Sequence, residues 1–431
     1  MKSIQEKTSR KTILLLAYSI SPHRGSEFAV AWDHVTHMAQ DHDIIVLFGA
    51  AGNAMGDISE LDDLSRAQFD RRVKFIAVHP GPLARLLNLS NRAGRLVYTF
   101  YLAYRLWHQE AKKVATRICR DQHIDLIHYL CPIGFREPGY LWKLQKPYVW
   151  GPVGGMPPYK WRLFAHAGNG PALRAFLRNI LNWLQLHCSL RVRKAMLRAD
   201  VLVAATSENA NKMRQIAKVE PYFLPENGIR TIYLRSASPR ASTNLRLIWV
   251  GRIDAGKALS ILLNSLARVR NQNWQLEIIG TGVLKETVYQ EAFDLGLSSH
   301  INWRGQLTRA STLEHFANAD VHVLSSLAEA HSTVLWEAMA HGVPTVAFDH
   351  CGMHDSICDQ CGVRVPIKSV DQMVCDLAGT LDHLISNPDE VQRLQRGATL
   401  CAQRNNWVAR RQTWNTFYDL AIQRHNNRST L

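Results

Sequence analysis

The sequence predicts an α/β protein made of two parallel-sheet halves. Three observations carry that expectation. Short apolar, β-branched runs alternate with stretches of helical period along the chain, which is the pattern of βαβ units. A polar segment containing Pro239, residues 231–243, interrupts the alternation, and a second series of the same units begins at 245. The 431 residues exceed what one ordinary core organises and suit two domains of roughly 200 residues.

Residues 12–18 (TILLLAY) read as the first strand. The cations before it, Lys2, Lys7, Arg10 and Lys11, imitate a secretory leader. The apolar run is short and no small-residue cleavage site follows, so a buried strand is expected instead. The loop 21–27 (SPHRGSE) comes next, with Pro22 and Gly25 marking a tight turn and Ser26 placed to cap a helix over 28–40. A glycine loop here lets backbone N–H groups approach a phosphate or sugar, although many α/β proteins carry such a turn without a ligand. Glu27 is a candidate acceptor contact. Its simpler role, with Trp32, is to complement the helix N-terminus and pack the core. Further strands are expected at 43–48, 73–78, 125–130, 147–150, 199–205 and 223–228, with GPVGGMPP (151–158) as a loop at a strand end.

Apolar content of 46% and charged content of 20% describe a globular chain, and no run of 18 apolar residues suggests a membrane span. The formal net charge of +15 favours an anionic partner: a phosphorylated substrate, an acidic membrane face or nucleic acid. Two stretches, 83–120 and 161–198, interleave Arg and Lys with Leu, Phe, Tyr and Trp. Basic amphipathic helices of this kind lie on anionic lipid, or they are core helices with solvated basic faces. Nucleic acid is not expected, because no zinc-finger spacing, RNA-recognition signature or helix-turn-helix is present. The eight cysteines form no regular framework and suit reduced thiols. Cys358 and Cys361 make a C-x-x-C near Cys351, His350 and His354; the alternatives are a zinc site and, since no second such pair exists, a loop and turn between strands, and the latter is expected.

In the second half, 245–250 (LRLIWV) runs into GRIDAGK (251–257) and a helix. Arg252 and Lys257 stand where a helix N-terminus already favours anions, so the pair is a credible diphosphate clamp. Residues 321–349 read as strand, loop, helix, strand. Ser332 is placed to cap the helix 333–341 and Gly342 to close it, with Pro344 forbidding continuation. Ligands of α/β sheets sit outside the carboxyl ends of strands, where helix N-termini point unpaired N–H groups. The loop 328–333 lies at such a place, framed by Glu329 and by Glu337, which flanks the buried face of the helix beside Val334.

These residues resemble the retaining glycosyltransferases of the GT-B fold, specifically glycosyltransferase family four. The resemblance spans nearly the whole chain. Its carriers, in order, are GSE after the first strand, DLIHYLCPIGFREPGYLW, PYVWGPVGG, LPENG, GRIDAGK, LEIIGTG and EAHSTVLWE followed by AMAHGVPTV, which is similar to the family's E-x7-E pattern. The resemblance implies two Rossmann-like domains facing a central cleft: 1–235 binding the acceptor, 236–406 binding the nucleotide-sugar, and a helix in 407–431 crossing back. It implies no cofactor and no essential metal, with a UDP- or GDP-linked sugar as donor. Arg252 and Lys257 would hold the diphosphate and Glu337 the ribose. Glu329 would contact the transferred sugar. The backbone at His331, Ser332, Thr333 and Val334 would face sugar and phosphate, and Gly25 would let the first loop approach. Many members carry a histidine two positions beyond His128, where this chain has Leu130. His128 shares a strand face with Leu130, so it either approaches the site or packs within the sheet. Arg136 is a candidate acceptor contact or a partner of a surface acid such as Glu137.

The function expected is transfer of a hexose, with retention, to a saccharide acceptor in surface polysaccharide biosynthesis. The charge and the basic aromatic helices point to a lipid-linked acceptor and to a cytoplasmic protein peripheral to the membrane. The alternatives are a GT-B transferase for a soluble acceptor and a non-catalytic sugar-nucleotide or polysaccharide binder.

Overall fold

β-Branched and leucine-rich runs become strands buried on both faces, as parallel sheets covered by helices require. The computed structural model describes residues 10–23, 27–49, 61, 69, 72–92, 99–233, 244–327, 329 and 331–429. Among these, the chain divides into two compact units. The first comprises 1–156, 184–226 and 408–431, and the second 157–183 and 227–407.

The first unit holds a seven-stranded sheet of β1 (Thr12–Ala17), β2 (Asp43–Gly49), β3 (Val73–Val78), β4 (Leu126–Cys131), β5 (Tyr148–Val153), β6 (Val201–Ala204) and β7 (Tyr222–Phe223). The order is β3-β2-β1-β4-β5-β6-β7, and every pairing is parallel. β1 and β4 bury nearly every side chain. Helix Thr99–Asp121 covers the sheet through Tyr104, Trp107, Ala111, Ala115 and Ile118, all in the core. The last helix, Trp407–Ser429, buries Trp414, Phe417, Tyr418 and Ala421. Within this unit its Tyr418 hydroxyl meets His34 Nε2 at 2.8 Å and His128 Nδ1 at 3.0 Å.

The second unit holds β8 (Leu245–Val250), β9 (Trp274–Ile279), β10 (Ile301–Gly305), β11 (Val321–Leu324), β12 (Thr345–Phe348) and β13 (Gly362–Val365). Their order is β10-β9-β8-β11-β12-β13, again all parallel. The two sheets are those of the GT-B fold, as expected.

Several elements differ from the sequence reading. Residues 157–183 group with the second unit because Leu163, Phe164, Ala172 and Ala175 join its apolar core. Of the strand and turn expected over 223–228, the strand is Tyr222–Phe223 and LPENG beyond it is irregular, as Pro225 and Gly228 favour. The stretch 83–120 contains two helices, Pro82–Arg92 and Thr99–Asp121, and 161–198 contains a 3-10 segment and two helices. Helix Asn169–Cys188 exposes Leu173, Phe176, Leu177, Ile180, Leu181, Trp183 and Leu184, a stripe at helical spacing.

Candidate functional site

In each sheet the strand order reverses direction beside the first strand: between β1 and β4 in the first unit, between β8 and β11 in the second. The carboxyl side of such a switch point is where α/β sheets place ligands, because adjoining connections leave to opposite faces and open a crevice.

In the second unit the loop 251–258 leaves β8 and the loop 325–332 leaves its neighbour β11. Backbone and side chains lock them together. Leu327 N–H donates to Gly256 O at 2.8 Å, Ser325 Oγ donates to Lys257 O at 2.8 Å, and Trp249 Nε1 donates to Ser325 Oγ at 3.0 Å. His350 Nε2 meets Ser326 O at 2.8 Å from below. Asp254 shapes the first loop, its Oδ1 accepting from the N–H groups of Gly256 and Lys257, each at 3.0 Å. Gly280 and Gly282 of the LEIIGTG motif let the loop after β9 close on the same place. A Cβ at Gly280 would stand 1.8 Å from Gly251 O, and one at Gly282 would stand 2.2 Å from Ile253 O.

Lys257 and Glu329 form an ion pair across these loops, with side chains 22% and 14% exposed. Burial pushes the Lys257 ammonium down to about 8, against the attraction of Asp254. The neighbouring Arg252 adds to the downward push. Arg252, 77% exposed, is held by Asp254 at 2.5 Å. The two cations of the expected clamp therefore stand on one loop in different settings, one sheltered and one in solvent. Helix Thr333–Ala340 starts beside this loop, with His331 and Ser332 buried and Thr333 and Val334 half-buried. Ser332 occupies the N-cap position, yet its side chain makes no capping hydrogen bond, contrary to the expected cap. The helix ends at His341, and Gly342 follows with φ of 64°, the left-handed conformation glycine allows. Glu337 is 12% exposed and accepts from Arg309 Nε at 2.8 Å.

A cavity of about 390 Å³ adjoins the other flank of the 253–260 loop. Its lining includes Asp254, Glu291 and His166 but neither Lys257, Arg252, Glu329 nor Glu337, so its carboxylates suit an anion poorly.

The first unit's switch point is differently furnished. Glu27 Oε1 accepts from Ile133 N–H at 3.3 Å, joining the first helix to the loop after β4, and burial raises its carboxyl above the usual range. His128 is fully buried, with Nδ1 at Tyr418 Oη and Nε2 2.8 Å from Gly151 O. Burial pushes its imidazole down to about 4. His128 is thus packed within the sheet, with both ring nitrogens engaged by the fold. Arg136 donates to Tyr101 Oη at 2.9 Å and lies 5.5 Å from that ring's centroid. The acid expected beside it, Glu137, is paired with Arg191 instead. Gly25 lies outside the described residues.

Sequence reasoning assigned no role to Asp254 or Arg309. Asp254 was visible as the Arg-x-Asp spacing inside GRIDAGK. Arg309 comes from the start of another helix, and only tertiary structure brings it to Glu337.

Two parallel sheets, each with its own switch point, are the architecture of the GT-B fold. Residues 244–385 match the family of glycosyl transferases group 1, in line with the resemblance read from the motifs. The chain is 28% identical over 232 residues to the D-inositol 3-phosphate glycosyltransferase of Streptomyces bingchenggensis (strain BCW-1), covering 48% of this chain and 50% of that protein. It thus spans about half the length of the curated relatives it matches. Among solved structures, the lipopolysaccharide outer core galactosyltransferase WaaB is similar with a TM-score of 0.62 at 16% identity, covering 97% of this chain and 100% of that one. Anabaena HepE in complex with UDP and glucose is similar with a TM-score of 0.61 at 17% identity, covering 98% and 100%. At such identities these likenesses establish the fold. Among the described residues no helix is long and apolar enough to cross a membrane.

Proposed function

We propose that this chain is a retaining hexosyltransferase. It moves a hexose from a UDP- or GDP-linked donor to a lipid-linked saccharide acceptor, in surface polysaccharide biosynthesis. The observation that carries this reading is the Lys257–Glu329 pair at the carboxyl side of the β8/β11 switch point, beside the N-terminus of helix Thr333–Ala340. Departure of a nucleoside diphosphate places negative charge on its oxygens while positive charge builds on the sugar. A fixed ammonium and helix N–H groups stabilise the first, and a carboxylate offsets the second. The donor diphosphate takes the place of Glu329 at Lys257, Arg252 adds a solvent-side cation, and the freed carboxylate orients sugar hydroxyls. Glu337, held by Arg309 through one oxygen, offers the other to the ribose. Transfer by this route needs no divalent metal at the diphosphate.

The exposed apolar stripe of helix Asn169–Cys188, flanked by the exposed Arg174, supports a surface that meets anionic lipid, and hence the lipid-linked acceptor. The galactosyltransferase of lipopolysaccharide outer core among the structural neighbours is consistent with this choice.

A panel of nucleotide-sugars, incubated with membrane extract or with soluble sugars and without added Mg²⁺ or Mn²⁺, tests the proposal. Transfer to lipid-extractable product by the wild type, with the donor's anomeric configuration kept by NMR and lost in Lys257→Ala and Glu329→Ala, is expected. Turnover unchanged in both variants contradicts the site, and transfer only to soluble sugars contradicts the acceptor.

A further inference from the structure

Cys358 and Cys361 are the two ends of the turn between helix Cys351–Ser356 and β13. The structure adds a third thiol that the sequence places forty residues away. Helix Pro388–Arg404 crosses this turn and touches it at three positions on one face, each four residues apart. Arg393 Nη2 donates to Asp359 O at 3.1 Å. At Gly397 the backbone comes so close that a Cβ would stand 1.8 Å from Gln360 O. Cys401 brings its Sγ to 3.6 Å from Cys358 Sγ, which is also 3.6 Å from Cys361 Sγ. All three sulfurs lie within 4.8 Å of one another. Cys358 N–H points at Cys361 Sγ at 3.3 Å, a contact that favours a charged sulfur.

We propose that Cys358, Cys361 and Cys401 form a structural site for zinc(II), bound as three thiolates with water in the fourth position at the exposed Cys358. Zinc–thiolate bonds of about 2.3 Å in a tetrahedron set sulfur–sulfur edges of about 3.8 Å, close to the two spacings observed. Soft thiolates select such a thiophilic ion over Mg²⁺ or Ca²⁺. Binding releases the thiol protons to solvent and leaves sulfur oxidation states unchanged.

The site ties the C-terminal end of helix Pro388–Arg404 to the sheet edge. Beneath it, Ala398, Cys401 and Ala402 pack with Trp336, Met339 and Ala340 of the helix that carries Glu337. A metal here stiffens the platform under that helix and takes no part in chemistry.

The test uses the full chain, stripped with a chelator and kept reduced. Zinc is titrated against a chromophoric chelator, and cobalt(II) is substituted for its thiolate charge-transfer band. The expected result is one equivalent bound, with affinity at least about 100-fold weaker in Cys358→Ser. The melting temperature should rise with zinc in the wild type and not in Cys358→Ser. Because Cys361→Ser and Cys401→Ser alter buried positions, alkylation mapping on the wild type gives an independent reading. Zinc should shield Cys358, Cys361 and Cys401 while the exposed Cys188 and Cys375 react as before. Equal zinc binding by wild type and Cys358→Ser overturns the proposal, as does an unchanged alkylation pattern. So does a Cys358–Cys361 disulfide forming in air at the same rate with zinc present.

Discussion

The two switch points share a topology and differ in what their loops carry. Beyond β8 and β11 stand Lys257, Arg252 and Glu329, with Glu337 on the helix behind. Among the described residues beyond β1 and β4, Glu27 accepts from Ile133 N–H, His128 on β4 spends both ring nitrogens on Tyr418 and Gly151, and Arg136 lies against Tyr101. Topology creates a crevice at both places. Side chains decide which one can hold a charged ligand. The second unit's edge gathers the charged side chains on which the proposed diphosphate site rests, while in the first Glu27 and His128 hold the fold.

The sharpest way to break this contrast is Lys257→Ala. Donor turnover should fall by about 100- to 1,000-fold, the cost of removing one preorganised group from a developing anion, with the melting temperature little changed. A loss below tenfold in steady-state kinetics would erase the distinction between the two edges.

Glu337→Ala should act on donor binding more than on chemistry. A rise of about tenfold in KM for the nucleotide-sugar with kcat within a factor of two is expected, the pattern of an interaction made equally in ground and transition states. A fall in kcat with KM unchanged would move Glu337 from the ribose to the reacting centre.

The opposite behaviour is expected in the first unit. Tyr418→Phe removes the hydroxyl shared by His34 and His128 and should cost about 1–3 kcal/mol of stability in chemical denaturation, with KM for donor unchanged. The same network sets an acid limit. Burial holds His128 at about 4 and His34 below its ordinary 6.5. The unfolded chain therefore binds more protons between about 6.5 and 4. Stability is complete above that window and falls as pH drops through it, by roughly 3 kcal/mol for His128 alone. Melting temperatures across this range check the sign, and a rise on acidification would refute the neutral, buried imidazoles.

The smallest effect on chemistry is expected from Trp183→Ser with Leu177→Glu on the exposed stripe. Flotation with acidic vesicles at low salt should drop several-fold while transfer to a soluble acceptor is retained. Undiminished flotation would remove that helix from the membrane reading.

Much of this was legible in the chain. Parallel strands buried on both faces leave continuous apolar runs such as TILLLAY and LRLIWV, and turn residues punctuate them, so the alternation announced two sheets. The motifs GRIDAGK and EAHSTVLWE placed Arg252, Lys257 and Glu329 in loops at strand ends and Glu337 on the helix that follows, because their chemistry depends on local spacing. What escaped depends on distance. The salt bridge from Arg309 to Glu337, the grouping of 157–183 with the second unit and the approach of Cys401 to Cys358 join segments that no local period links. The basic aromatic stretches 83–120 and 161–198 looked alike in sequence. One packs Tyr104 and Trp107 into the core and the other turns Trp183 and Leu177 outward, a choice made by tertiary partners.

The most direct measurement is calorimetric titration of UDP and GDP into the wild type and into Lys257→Ala, beside Tyr418→Phe as a control from the other unit. One of the nucleotides should bind the wild type and Tyr418→Phe alike, and bind Lys257→Ala at least about tenfold more weakly, one ion-paired contact being worth about 1.4 kcal/mol or more. Equal affinity for wild type and Lys257→Ala would place the diphosphate elsewhere and contradict the assignment of the β8/β11 edge.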